Sequence, residues 1–271
     1  MKKIIVAIDF STTAYNAARY AVDMAMNIHA QIILLHVYIV PVVYSEVPIA
    51  IDHHELIKGA ERDMQILKEN LGKAGRETVN IDTIVRPGVF FHELKELCEA
   101  EHPYAVVMGS QGSSAAERIF FGSHTVHTMK HLLWPLITVP PGASFKSIRK
   151  IGFACDMDKV VNTPVEEIKM LVHDFNAELH VLNTGRKEAF NPDLVFQSGL
   201  LQEILISLNP QFHFITNDDI NEGILNFTEE NDIDLLVVLP KRHNLFENMV
   251  RKSHSKELIL HSHVPVMALH T

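Results

Sequence analysis

Apolar positions along the chain fall into two rhythms. Lys3-Ile4-Ile5-Val6-Ala7-Ile8-Asp9 is a short β-branched run and reads as a buried strand. After Ser11 the pattern changes: Ala14, Ala17, Ala18, Ala21, Ala25 and Ile28 recur at helical spacing, with Ser11 or Thr12 placed to cap. Residues 31–38 predict a second strand. Leu56, Ala60, Met64, Leu67 and Leu71 mark a helix face that runs out at Gly72 and Gly75. Residues 80–85 predict a third strand. Pro87-Gly88 then opens a helix carrying Phe91, Leu94, Leu97 and Cys98, which stops before Pro103. Residues 105–108 and 136–139 read as the fourth and fifth strands, with a helix between them. Strands alternating with helices predict a parallel sheet covered on both faces.

The pattern is written twice. Lys3–Asp9 is echoed by Lys150-Ile151-Gly152-Phe153-Ala154-Cys155-Asp156, and Ala30–His36 by Ala177–Asn183 at the same offset. Tyr104–Met108 answers Leu235–Leu239. Ser123-His124 and Pro135-Leu136-Ile137 answer Ser253-His254 and Pro265-Val266-Met267. The break falls near Pro140-Pro141-Gly142, where two prolines and a glycine interrupt regular structure. Two tandem domains are expected, 1–142 and 147–271, each a five-stranded doubly wound α/β unit. The last strand, Val264–Leu269, alternates too little for a solvent-facing edge, and 136–139 has the same need for cover. Both needs are met if these two strands pair, making a pseudo-twofold dimer within one chain.

Composition narrows the function. The chain has 271 residues, 47% hydrophobic and 21% charged, with a net charge of −9. That charge gives no pull toward phosphate backbones or anionic lipid, so no nucleic acid and no membrane is expected as a partner. No run reaches the roughly 18 apolar residues of a membrane span. Two cysteines, Cys98 and Cys155, make no disulfide framework and point to a reducing, cytoplasmic setting. The opening Met1-Lys2-Lys3 imitates a signal peptide, but Asp9 interrupts the apolar run and no cleavage site follows.

In doubly wound sheets ligands bind beyond the carboxyl ends of the strands, at the topological switch point. There stands Gly109-Ser110-Gln111-Gly112, nine residues, then Gly122-Ser123-His124-Thr125. Glycines let backbone N–H groups approach an anion, a helix start after Gly122-Ser123 favours negative charge, and Ser123 and Thr125 add hydroxyl donors. By residue type alone, the same spacing also fits a glycine turn followed by an ordinary serine cap.

The motif Gly109-x-x-Gly112, nine residues, Gly122-Ser123, following a strand that ends in Met108, resembles the ATP-binding loop of the universal stress protein family. Val6-Ala7-Ile8-Asp9-Phe10-Ser11, His36-Val37 and Pro135-Leu136-Ile137-Thr138-Val139 also look like that family. The resemblance covers the whole chain as two family domains in tandem. It implies an adenine nucleotide alpha hydrolase-like fold with strand order 3-2-1-4-5, and pairing through the fifth strands. It implies a resident ATP, or ADP or AMP in its place, with Mg. Carried over, the nucleotide-contacting positions are Ala7 and Asp9 after strand one, Val37 beside the adenine, Met108 and Gly109 beside the ribose, and Gly112, Gly122, Ser123 and His124 around the phosphates. His124 stands where the family usually has a small aliphatic or hydroxyl residue. Asp9 has a second reading, as a strand-end cap for the following helix.

The second half departs from the pattern. Pro240 is read at the place of Gly109, Lys241-Arg242-His243 follows, and no glycine occurs from Leu239 to Thr271. This half is expected to have lost the ATP site, its basic loop being more economically a solvated one. His124, His127 and His131 recur at i, i+3, i+7, but no metal site is assigned to them, nor to His53-His54. No catalytic residue is assigned: the chain has no P-loop, and no lysine lies between Gly109 and Ser123. Three functional classes stand: an ATP-binding stress or regulatory protein, a nucleotide-independent scaffold, and a slow ATP hydrolase. The fifth-strand pairing can be satisfied within one chain, or two chains can pair again as a homodimer.

Overall fold

The computed structural model describes residues 1–39, 53–73, 78–110, 124–155, 157–183, 192–215, 217, 219–240 and 254–270. Its first half runs β1 (Lys3–Ala7), α1 (Thr12–Ile28), β2 (Gln31–Tyr38), α2 (His53–Lys73), β3 (Ile81–Pro87), α3 (Phe90–Glu101), β4 (Ala105–Gly109), α4 over residues 124–131, and β5 (Leu136–Val139). The second half runs β6 (Lys150–Cys155), a 3-10 turn (Met157–Asn162), α5 (Val165–Phe175), β7 (Glu178–Asn183), α6 (Pro192–Leu205), β8 (Gln211–Phe214), α7 (Ile220–Glu230), β9 (Leu235–Val238), α8 (His254–His261) and β10 (Val266–Ala268). No described helix is long and apolar enough to cross a membrane.

All ten strands form one sheet in the order β3-β2-β1-β4-β5-β10-β9-β6-β7-β8. Each half therefore reads 3-2-1-4-5, the second in mirror sequence. Every described pairing is parallel except β5 with β10, which meet antiparallel at the centre, Thr138 opposite Val266 and Leu136 opposite Ala268. The expected pairing of the two last strands is thus present. Thr138 is fully buried there and its hydroxyl donates to Val266 O at 3.2 Å.

Strand periodicity builds two cores, one on each face. Ile4, Val6, Ile32 and Leu34 point to one face with α1, α2, α5 and α6; Ile5, Ala7, Ile33 and Leu35 point to the other with α3, α4, α7 and α8. Both cores run through the central seam without a break. Ile137, Val139, Met267 and Leu269 join the first, and Leu136, Val266 and Ala268 the second. The helix face expected after Ser11 is buried as read, from Ala14 to Ile28, and Ser11 Oγ accepts the N–H of Ala14. Further bonds tie the halves together. Lys2 Nζ meets Asp174 at 2.5 Å, Phe145 packs edge-on against Tyr20, and His270 Nε2 donates to Met129 O at 2.6 Å.

Two readings of the chain need correcting. Pro87-Gly88 does not open a helix: Pro87 ends β3 opposite Tyr38, and α3 starts at Phe90. A proline is tolerated there because β3 is an outer strand, where a missing N–H breaks no ladder. The second concerns register. Val6 pairs with Val107 in the first half and Phe153 with Val237 in the second. Since Val6 and Phe153 hold matching places, Leu239 rather than Pro240 stands at the place of Gly109, and Pro240 at that of Ser110.

Candidate functional site

The crossing helices decide where a crevice opens. α1 and α2 cover one face while α3 and α4 cover the other, so the sheet's connections diverge between β1 and β4. The residues expected at a site divide among three strand ends around that point. Ala7 closes β1, pairs with Leu35 and is buried; Asp9 follows two residues on, half-buried. Val37 lies near the end of β2, opposite Arg86. Met108 and Gly109 close β4, paired with Thr138 and Val139.

Asp9 does not cap α1 directly. Its Oδ1 accepts the N–H of Ser11 at 2.9 Å, and Ser11 in turn caps the helix. The Ser11 hydroxyl also lies 3.0 Å from that of Thr13. The β1–α1 loop is therefore held by a chain of short side chains. It is held from β2 as well: His36 Nδ1 lies 2.8 Å from the carbonyl of Ile8, and the Phe10 ring rests 4.6 Å from the His36 ring.

Gly109 has a packing reason of its own. A Cβ there would sit 3.2 Å from the backbone carbon and Cβ of Thr13 and 3.3 Å from its carbonyl oxygen. A side chain there would press on the helix start, which would have to give by a few tenths of an ångström. Beyond it, Ser110 is buried and its N–H donates to Val139 O at 3.0 Å. Thr125 is likewise buried. Its hydroxyl turns back to donate to Gly109 O at 3.2 Å, which ties the first turn of α4 to the end of β4. Gly112, Gly122 and Ser123 lie outside the described residues.

His124 is exposed at the start of α4, its ring edge-on to Phe90 at 5.6 Å. His127 stands edge-on to Phe91 at 4.7 Å and 4.5 Å from His131. Burial against these rings and the neighbouring imidazoles of His131 and His124 hold His127 below its ordinary value of 6.5. This face thus leans on α3 through ring contacts. Among the described residues, the group whose ligand atoms lie close enough for a cation is His92, Glu93 and Glu96, on the surface of α3, where Arg86 lies 3.5 Å from Glu93 and 3.9 Å from Glu96. Cys98 and Cys155 are both buried; burial pushes the Cys98 thiol up to about 12, which keeps it a thiol.

The second half differs at the matching strand end. Leu239 brings a side chain where Gly109 has none, and Pro240 has no N–H where Ser110 donates to the sheet. α5 also starts differently. A 3-10 turn separates it from β6, and its N-cap, Pro164, makes no side-chain capping bond.

Phe10 and His36 stand in the sequence motifs, but spacing assigns no role to either. Their contact joins loops from different strands, which residue spacing does not reveal.

Comparison with known proteins bears on the family and the fold. A profile of the universal stress protein family matches residues 1–140 and 209–270. A universal stress protein of Methanocaldococcus jannaschii is 29% identical over 140 residues, 51% of this chain and 81% of that protein. Among solved structures, a universal stress protein from Archaeoglobus fulgidus superposes with a TM-score of 0.76 at 18% identity, over 99% of this chain and 98% of that one. A functionally unknown protein from Pseudomonas aeruginosa superposes with a TM-score of 0.58 at 11% identity, over 100% of this chain and 92% of that one. At these identities the two structures speak for the fold alone.

Proposed function

The chain belongs to the universal stress protein family, and from that premise we propose that it binds one adenine nucleotide, ATP with Mg in the first instance, in the crevice of its first half. Its role is then regulatory or stress-responsive, exerted through nucleotide-dependent conformation or partners. The observation that carries this reading is the contrast at the switch point. Asp9, Gly109 and Thr125 stand at the strand ends of the first half, where the register of the second half puts Leu239 at the place of Gly109 and Pro240 at that of Ser110. The site belongs to residues 1–142, and 147–271 serve as a permanent structural partner.

Two measurements on the full chain test this. Mass spectrometry of ligand released on denaturation identifies the resident nucleotide. Calorimetry with MgATP should give one site per chain, and Gly122→Val should abolish it. Two sites per chain would defeat the asymmetric reading. The continuous cores across the seam also suit a nucleotide-independent scaffold. That reading gains if no nucleotide is released and none binds.

A further inference from the structure

Six described non-glycine residues have positive φ: Phe10, His29, His102, Asn176, Asn209 and Asp232. The last five are histidine, asparagine or aspartate, the types that tolerate the left-handed region, and each sits at the end of a helix or helical turn. Phe10 is the exception on both counts. Its φ is 63°, it lies in the β1–α1 loop, and its side chain is bulky and apolar. A backbone conformation of this kind persists only where the surroundings over-determine it.

Burial of the ring is a weak reason for it. Phe10 is 43% exposed, among the more open large apolar side chains of the described residues. What holds it is the His36 imidazole. The Nδ1 of His36 faces the Ile8 carbonyl, which only accepts, so Nδ1 carries the hydrogen and donates across 2.8 Å. The same ring offers its tilted face to Phe10 at 4.6 Å. One side chain on β2 thereby fixes the residue before Asp9 and the residue after it. Asp9 itself spends Oδ1 on Ser11 N–H, which sets the direction of its carboxylate.

We propose that His36 and Phe10 form a latch that positions the Asp9 carboxylate, leaving Oδ2 to accept a hydrogen-bond donor of the nucleotide. This rests on the nucleotide reading of the crevice. His36 and Phe10 are positioning residues here and act through Asp9. The left-handed turn at Phe10 is the strained element, and the imidazole bond is what keeps it from relaxing.

A double-mutant cycle on the full chain tests the latch, with ATP affinity read by calorimetry and folding by circular dichroism. His36→Phe keeps a ring and removes the donor, and should weaken ATP about tenfold, the scale of one hydrogen bond. His36→Asn restores an amide donor near the Nδ1 position and should stay within about threefold of wild type. In an Asp9→Asn background, which keeps the acceptor for Ser11, His36→Phe should add less than about twofold. Independent, multiplying losses from His36→Phe and Asp9→Asn would mean a merely structural role and would overturn the latch. So would ATP binding by His36→Phe at wild-type strength, while the nucleotide site itself stood. If His36→Phe fails to fold, Phe10→Gly decides. It removes the ring and the conformational cost together, and wild-type affinity in that variant overturns the proposal. A wild-type chain that binds no ATP brings down the site and the latch with it.

Discussion

Ser110 gives its N–H to Val139 where β4 ends; Pro240, at the matching place beyond β9, has no N–H to give. One residue earlier, a Cβ on Gly109 would stand 3.2 Å from Thr13, while the second half carries Leu239. The two halves keep the same strand order and share both cores, yet they differ at the residues that line the crevice. The fold depends on apolar positions alternating along strands, and these tolerate exchange as long as they stay apolar. A crevice depends on particular missing side chains and particular N–H groups. A half that serves as a structural partner can lose the second set and keep the first.

The comparison breaks most violently at the seam. Met267 is buried opposite Ile137, with core on both sides. Met267→Asp should cost about 3–5 kcal/mol, the price of an uncompensated buried charge. Because the cores are continuous, urea unfolding should show one transition for both halves, shifted as a whole. Separate transitions would show that the halves are stable independently.

Exchanging the crevice residues sharpens the contrast. Gly109→Leu should destabilise by about 1–3 kcal/mol through overpacking against Thr13 and should eliminate ATP binding. Leu239→Ala should leave ATP binding as it was. Titration of both variants with a fluorescent nucleotide checks this, and an equal effect from the two would erase the asymmetry.

A third test uses acid. Where the first half has Ile33 and Ile84 against α3, the register of the second places His180 and His213, their ring nitrogens 3.1 Å apart and Phe227 of α7 4.7 Å from His213. Burial lowers the affinity of both imidazoles for a proton. Lys150 adds to this at His180 and Glu178 opposes it, while His180 adds to it at His213. The folded values therefore lie below the ordinary 6.5, so the contribution to stability is complete above that pH. As pH falls below 6.5 the unfolded chain takes up protons first, and stability declines toward the lowered folded values. Urea midpoints should drop between about pH 7 and about pH 5, and the variant with isoleucine at both positions should drop less. An unchanged slope would mean that the two imidazoles bind protons equally well in the folded and unfolded chain.

The smallest effect is expected at Thr125→Val, which keeps the shape and removes the donor to Gly109 O. It should cost about 0.5–1.5 kcal/mol, measured by thermal unfolding, and weaken ATP modestly.

Much of the architecture was legible because strands and helices carry different apolar periods. Gln31–Tyr38 and Leu136–Val139 match their expected bounds, and every residue of the expected stripe of α1 is buried, joined by Thr13, Tyr20, Val22 and Met24. Register in the second half was not legible. Leu235-Leu236-Val237-Val238-Leu239 is apolar throughout, so no polar residue marks where its match to the first half begins, and a slip of one costs nothing in pattern. The candidate site is a set of residue types at strand ends, which the sequence displays. Its internal wiring was not legible: a phenylalanine in the left-handed region and an imidazole on a distant carbonyl depend on tertiary packing, which leaves no local signature.

The antiparallel contact of β5 with β10 has a consequence for how the molecule responds to dilution. Two separate chains meeting through such strands would part as their concentration fell. Here the partners are covalently joined through residues 140–149, and Asn16 fastens that connection by donating to Pro140 O and Ala143 O. Each strand meets the other at an effective concentration set by a short tether, whatever the amount of protein present. The seam is thus insensitive to expression level, and the ratio of the two halves stays fixed at one to one in every molecule made.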